Sequence, residues 1–97
     1  MITIVAKCII KKDKVEEFKK LAEELVKESK KEAGCISYDL FEDIKKPNVL
    51  TFIEEWKDMD AIEEHNNTAH FTSIVPKFDE LREDSTVNLY QKAAMLR

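Results

Sequence analysis

The stretch Val49–Phe71, VLTFIEEWKDMDAIEEHNNTAHF, decides how this chain is read. Its first eight residues alternate, with Val49, Thr51, Ile53 and Glu55 on one face and Leu50, Phe52, Glu54 and Trp56 on the other, which is the period of a β-strand. The pattern then changes. Asp58 is placed to cap a short helix carrying Ile62 and His65, Asn66-Asn67 breaks it, and Thr68 caps a restart carrying His70 and Phe71. Both histidines of the chain lie here, beside Phe52, Trp56, Phe71 and a glutamate flanked by aromatics on its own strand face. Apolar bulk set beside titratable groups marks a candidate pocket wall.

Moving upstream, Asp43–Asn48, with Pro47 inside it, is a hairpin-sized connection. Before it Cys35–Glu42 alternates as a strand, with Ile36, Tyr38 and Leu40 against Cys35, Ser37, Asp39 and Phe41. Gly34 is expected to stop a preceding helix as a left-handed C-terminal residue. That helix starts at Asp13, whose capping box Glu16 completes, and buries Val15, Phe18, Leu21, Ala22, Leu25 and Val26. Its Lys and Glu residues read as a solvated face. Ile2–Ile10 is a first strand with Ile2, Ile4, Ala6, Cys8 and Ile10 facing one way; Val5 and Ile9 are apolar on the other side, as suits a central strand.

Downstream, Phe71, Ile74, Val75, Phe78 and Leu81 give a helix an apolar side, and Pro76 predicts a kink or restart within it. Ser85–Ala93 closes the chain as a fourth strand, Val87 and Leu89 against Asn88 and Tyr90. This order predicts an α+β fold: a ferredoxin-like βαββαβ protomer with a four-stranded antiparallel sheet, strands one and three central, helices on one face. The face without helices still carries apolar residues in several strands. A second copy of the same sheet would bury them, so a face-to-face homodimer is expected.

Composition narrows the functions. Ninety-seven residues make one domain, 1–97, and a net charge of −4 disfavours nucleic acid or an anionic membrane as partner. No apolar run approaches the roughly 20 residues that span a bilayer. Ile2–Ile10 is too short, and too interrupted by Lys7, for a signal peptide, which points to the cytoplasm. With Gly34 as the single glycine, a Gly-rich phosphate loop or dinucleotide fingerprint is excluded. Cys8 and Cys35 fall on non-neighbouring strands and read as small buried hydrophobes. His65 and His70, five apart across a helix break with no cysteine or third histidine, do not make a ligand spacing, so neither metal nor cofactor is expected.

Of the titratable groups, His65 is the first candidate for a general base, since its ordinary pKa lies near 6.5. Its bland alternative is a structural role at the Asn66 turn. Glu54, if its face is buried, would have a raised pKa and could act as a base or orient His65; alternation alone leaves open whether Glu54 or Glu55 faces inward. Tyr38, Phe52, Trp56, Asn66, His70 and Phe71 are candidate ligand-binding residues. Core packing serves equally well for the aromatics, and backbone hydrogen bonding for His70.

The run GCISYDLFED and then LTFIEEWKDMDAIEEHNNTAHF, with Glu55-Trp56 followed by His65 and His70, resembles the antibiotic biosynthesis monooxygenase domain family. The resemblance covers nearly the whole chain. It implies a dimeric α+β barrel and a quinol-type monooxygenase working without metal or flavin on a small aromatic or quinol. A haem-degrading branch of the same family uses an Asn, a Trp and a His where this sequence, aligned on Trp56, has Lys7, His65 and Val75, so that activity is not expected. Two alternatives remain: a sugar-phosphate isomerase of the same family, and a non-catalytic ligand-binding or stress-response dimer.

Overall fold

In the computed structural model, which describes residues 1–94, the elements follow the expected order. They are β1 (Ile2–Ile10), α1 (Val15–Ser29), β2 (Cys35–Glu42), β3 (Val49–Trp56), α2 (Met59–Asn66), α3 (Ala69–Ile74), a 3-10 helix (Val75–Glu80) and β4 (Arg82–Tyr90). The sheet runs β2-β3-β1-β4 with every pair antiparallel, so β1 and β3 are the central strands. This is the ferredoxin-like fold.

The register explains the core. Ile4 opposes Glu54, Ala6 opposes Phe52 and Cys8 opposes Leu50 across β1 and β3, and directly opposed residues of an antiparallel pair share a face. That face, with Ile10 and Trp56, lies under the helices, where α1 contributes Phe18, Ala22 and Leu25 and the chain after α2 adds Ile74, Phe78 and Leu81. Phe18 stands between Phe78, with ring centroids 4.6 Å apart, and Phe52, at 6.1 Å. Pro76 sits at the start of the 3-10 helix, so the apolar pattern does restart there: a ring without an N–H fits the first turn, where the N–H would have no partner.

The structure corrects four local expectations. Asp13 does not cap α1; Lys14 holds the cap position and no side chain bonds to it. Gly34 does not end the helix in a left-handed conformation, since α1 stops at Ser29 and no described glycine has positive φ. Successive tight turns, Lys31 N–H to Glu28 O, Glu32 N–H to Ser29 O and Cys35 N–H to Glu32 O, carry the chain into β2 instead. What Gly34 supplies is room: a Cβ there would lie 2.3 Å from the Cβ of Ala61.

In β2 the register shifts between Cys35 and Ser37, leaving Ile36 as an extra residue, 54% exposed. The bulge puts Cys35 on the face of Tyr38 and removes Ile36 from it, the reverse of what plain alternation predicts. Finally β4 begins at Arg82 rather than Ser85, because Lys11 N–H donates to Leu81 O and pairing starts as soon as the 3-10 helix ends. It ends at Tyr90 rather than Ala93. Cys8 and Cys35 are free, and no helix among the described residues is long and apolar enough to cross a membrane.

Candidate functional site

A cavity of about 370 Å³ lies between the covered sheet face and α2–α3, opening beside β4. The helices stop short of that strand, so Val87 and Leu89 line the cavity yet stay 60% and 47% exposed. Among the sequence candidates Tyr38, Phe52, Glu54, His65, Asn66 and Phe71 all line it. Trp56 and His70 stand behind this wall. Trp56 is fully buried against Glu54 and His65, while His70 is linked to the cavity-lining His65 through their shared partner Glu32.

His65 is placed by two caps. Asp58 Oδ1 accepts from Ala61 N–H at 2.9 Å and starts α2, which puts His65 in its last turn. Thr68 donates to His65 O at 2.8 Å and accepts from Phe71 N–H at 3.2 Å, which closes α2 and opens α3 in one residue. The imidazole is 2% exposed, walled by Trp56 at 4.4 Å between ring centroids, Phe71 at 5.0 Å and Tyr38 at 5.6 Å. Its Nδ1 lies 2.6 Å from Glu32 Oε2, and the same oxygen is 2.8 Å from His70 Nε2. Burial pushes the His65 pKa below its ordinary value despite the opposing pull of Glu32, because desolvation of the cation outweighs the single carboxylate. A neutral ring that gives its Nδ1 hydrogen to Glu32 keeps Nε2 as an acceptor.

Glu54, not Glu55, faces the cavity; Glu55 lies on the other face and accepts from Ser37 Oγ at 3.0 Å. Glu54 Oε1 accepts from Trp56 Nε1 at 2.9 Å, an i, i+2 contact along one strand face. Burial raises its pKa to about 7; the Trp56 and Tyr38 contacts pull it down and the Glu32 charge raises it again. Tyr38, 2% exposed, has its pKa pushed well up by burial and then by Glu54. Ser29 Oγ, buried beside it, stays outside hydrogen-bonding geometry. The group that orients His65 is therefore Glu32, and no contact joins His65 to Glu54 among the described hydrogen bonds.

Glu32 is the residue that sequence reasoning missed. It sits in the KKEAG run, whose charges give the pattern of a solvated face, and no local pattern connects it to residues 33 and 38 positions away. It also supplies the third group that the spacing of His65 and His70 lacked, since the three ligand atoms lie within 4.8 Å of one another. Ligand atoms sharing one tetrahedral zinc stand roughly 3.3 Å apart, from Zn–N and Zn–O bonds of about 2.0–2.1 Å. At 2.6 and 2.8 Å the Glu32 contacts are those of a closed hydrogen-bonded triad rather than an opened ligand set.

Residues 1–77 match the family model described as antibiotic biosynthesis monooxygenase. The chain belongs to that family. Similar proteins include "Putative monooxygenase YcnE" of Bacillus subtilis (strain 168), 43% identical over 81 residues, which are 84% of this chain and 85% of that one. A crystal structure of an antibiotic biosynthesis monooxygenase superposes with a TM-score of 0.92 at 37% identity, covering 97% of this chain and all of that one, 100%. A conserved protein from Methanosarcina mazei Go1 superposes at 0.91 with 38% identity over 94% of this chain and 91% of its own. As a member of the antibiotic biosynthesis monooxygenase family, the chain carries its triad and most of its cavity wall inside the matched residues; only Phe78 and the β4 side, Arg82 to Leu89, lie beyond them.

Proposed function

We propose that this chain is a cytoplasmic, cofactor-independent monooxygenase that oxidises a small aromatic or quinol with molecular oxygen, as a homodimer. The observation that carries the reading is a buried imidazole held by Glu32 through Nδ1, in an apolar cavity large enough for a one- or two-ring ligand. His65 Nε2 takes the phenolic proton. The resulting quinolate is electron-rich enough to react with O2 directly: one oxygen atom enters the ring and the other leaves as water, so that quinol plus O2 gives hydroxyquinone plus water. Glu54, protonated over much of its range below about pH 7, donates to a ligand oxygen. Phe52 and Phe71 pack against the ring, and Asn66, at the mouth beside His65, contacts its edge.

A phosphorylated sugar suits this cavity poorly. Among the described residues Arg82 is the one Lys or Arg in the wall, and it is engaged by Asp79. The proposed dimer rests on the open sheet face, where Phe41, Ile53 and Tyr90 are 51%, 36% and 53% exposed beside Val5 and Ile9.

Oxygen uptake with a panel of quinols tests the reading. His65→Ala is expected to lower turnover by about two to four powers of ten, the usual contribution of a positioned base. Activity retained in that variant together with a large loss of stability would make His65 structural. A wild type that binds quinols without consuming oxygen would make the protein a ligand-binding dimer.

A further inference from the structure

The triad joins two imidazoles to one carboxylate oxygen, and its members differ in their access to water. His65 is 2% exposed and ringed by aromatics; His70 is 18% exposed, and Glu32 15%. Because Glu32 Oε2 faces His65 Nδ1 and His70 Nε2 at once, it accepts from both, so each ring carries hydrogen on the nitrogen that points at it. One carboxylate balances one positive charge. A second imidazolium in the same cluster would meet the first across 6.0 Å between ring centroids. Of the two rings, the one walled by aromatics bears the heavier desolvation as a cation.

We propose that His70 is a positioning residue for the cavity base: by sharing Glu32 Oε2 with His65 it disfavours a second proton on the buried ring, so that Glu32 holds His65 in the Nδ1–H form with Nε2 free to accept a proton. This rests on the reading of His65 as the base, but its test does not. Titratable groups bear on the pair from each side. His65 faces Glu32 and His70, with Glu54 on the same cavity wall. His70 faces Glu32 and His65 and lies near enough to bear on Glu28, whose carboxylate Lys31 already holds at 2.9 Å. A charge on His70 pushes the His65 pKa further down, in the same direction as burial. Without that charge, Glu32 is left free to stabilise a His65 imidazolium, and the base is lost at a higher pH.

With only two histidines in the chain, ring NMR signals assign readily, and a titration from about pH 4 to 9 reads each ring separately. The expected wild-type result is a His65 ring in the Nδ1–H form at neutral pH. His70→Gln keeps an N–H donor for Glu32 and removes the charge. It should move the His65 midpoint up by about half a unit to one unit, the Coulomb interaction across some 6.0 Å at an effective dielectric of roughly 40–80. Glu32→Gln should move the His65 midpoint down. A His65 midpoint that stays put or falls in His70→Gln overturns the proposal. If a quinol is turned over, the acid limb of the rate profile should rise with the His65 midpoint in His70→Gln; a uniform loss of rate at all pH values would mark His70 as merely structural. A protein inert toward quinols leaves the NMR result decisive, so the two readings fail separately.

Discussion

Gly34→Ala puts a methyl where the connection after α1 meets the first turn of α2. The new Cβ would lie 2.3 Å from Ala61 Cβ and 3.4 Å from Ala61 Cα. Carbon atoms rest at about 3.5–4.0 Å, so the two methyls must part by more than about 1 Å. Neither can rotate away, because each is fixed to backbone, and α2 is held on the other side by its packing of Ile62 and His65. Overpacking of this kind costs about 1–3 kcal/mol. Alanine also reduces the freedom of the unfolded chain, which offsets about 0.4–1 kcal/mol, since no positive φ opposes it here. The net expectation is a loss of about 1–2 kcal/mol, a fall in Tm of roughly 5–15 °C for a domain of this size, measured by thermal and urea melts followed by circular dichroism. Ala61→Gly in the same background removes the opposing methyl, and a double-mutant cycle should return a favourable coupling of about 1 kcal/mol or more. A Gly34→Ala protein as stable as wild type, or one that Ala61→Gly fails to rescue, refutes the steric account. Gly34→Asn separates the two explanations directly: a left-handed position tolerates Asn, whereas a crowded one rejects it as it rejects Ala.

The remaining expectations concern charge, the cavity and assembly. Burial lifts the Glu54 pKa to about 7 from its ordinary 4.5, so the folded state binds its proton more tightly; that stability is full below about pH 4.5 and is lost as pH rises through 7. Between about pH 4.5 and 8.5 the loss is on the order of 3 kcal/mol, and Glu54→Gln should flatten that slope in urea melts. Trp56→Phe removes the 2.9 Å Nε1–H donor that holds the Glu54 pKa down, so Glu54 should titrate at a still higher pH, read by NMR of the side-chain carboxyl carbon. In sedimentation at micromolar concentration the protein is expected near twice its 11.3 kDa chain mass, and a clean monomer would remove the face-to-face dimer.

The candidate site was legible wherever it follows from local period. Alternation in Val49–Trp56 places Phe52, Glu54 and Trp56 on one face, and a two-residue contact such as Trp56 to Glu54 needs no knowledge of the rest of the chain. Asp58 and Thr68 announce their helices because a cap is a bond between a side chain and backbone three residues on. Gly34 and Asp13 misled for the same reason they attracted notice. Each is a residue type that favours a helix end, and here the nearby backbone took another route.

The order of the elements, the antiparallel sheet and the strand face that carries Glu54 follow from residue pattern alone, since periodicity and turn chemistry act over a few residues. Packing between distant segments buries this face at Glu54 and bulges Ile36 out of β2. It alone brought Glu32 between His65 and His70. Nearby, Gly34 packs against Ala61 and its carbonyl accepts from Lys57 N–H, joining the same connection to the start of α2. Burial, and with it the direction of each pKa shift, is a property of what the rest of the chain packs around a residue, which no spacing along the chain records.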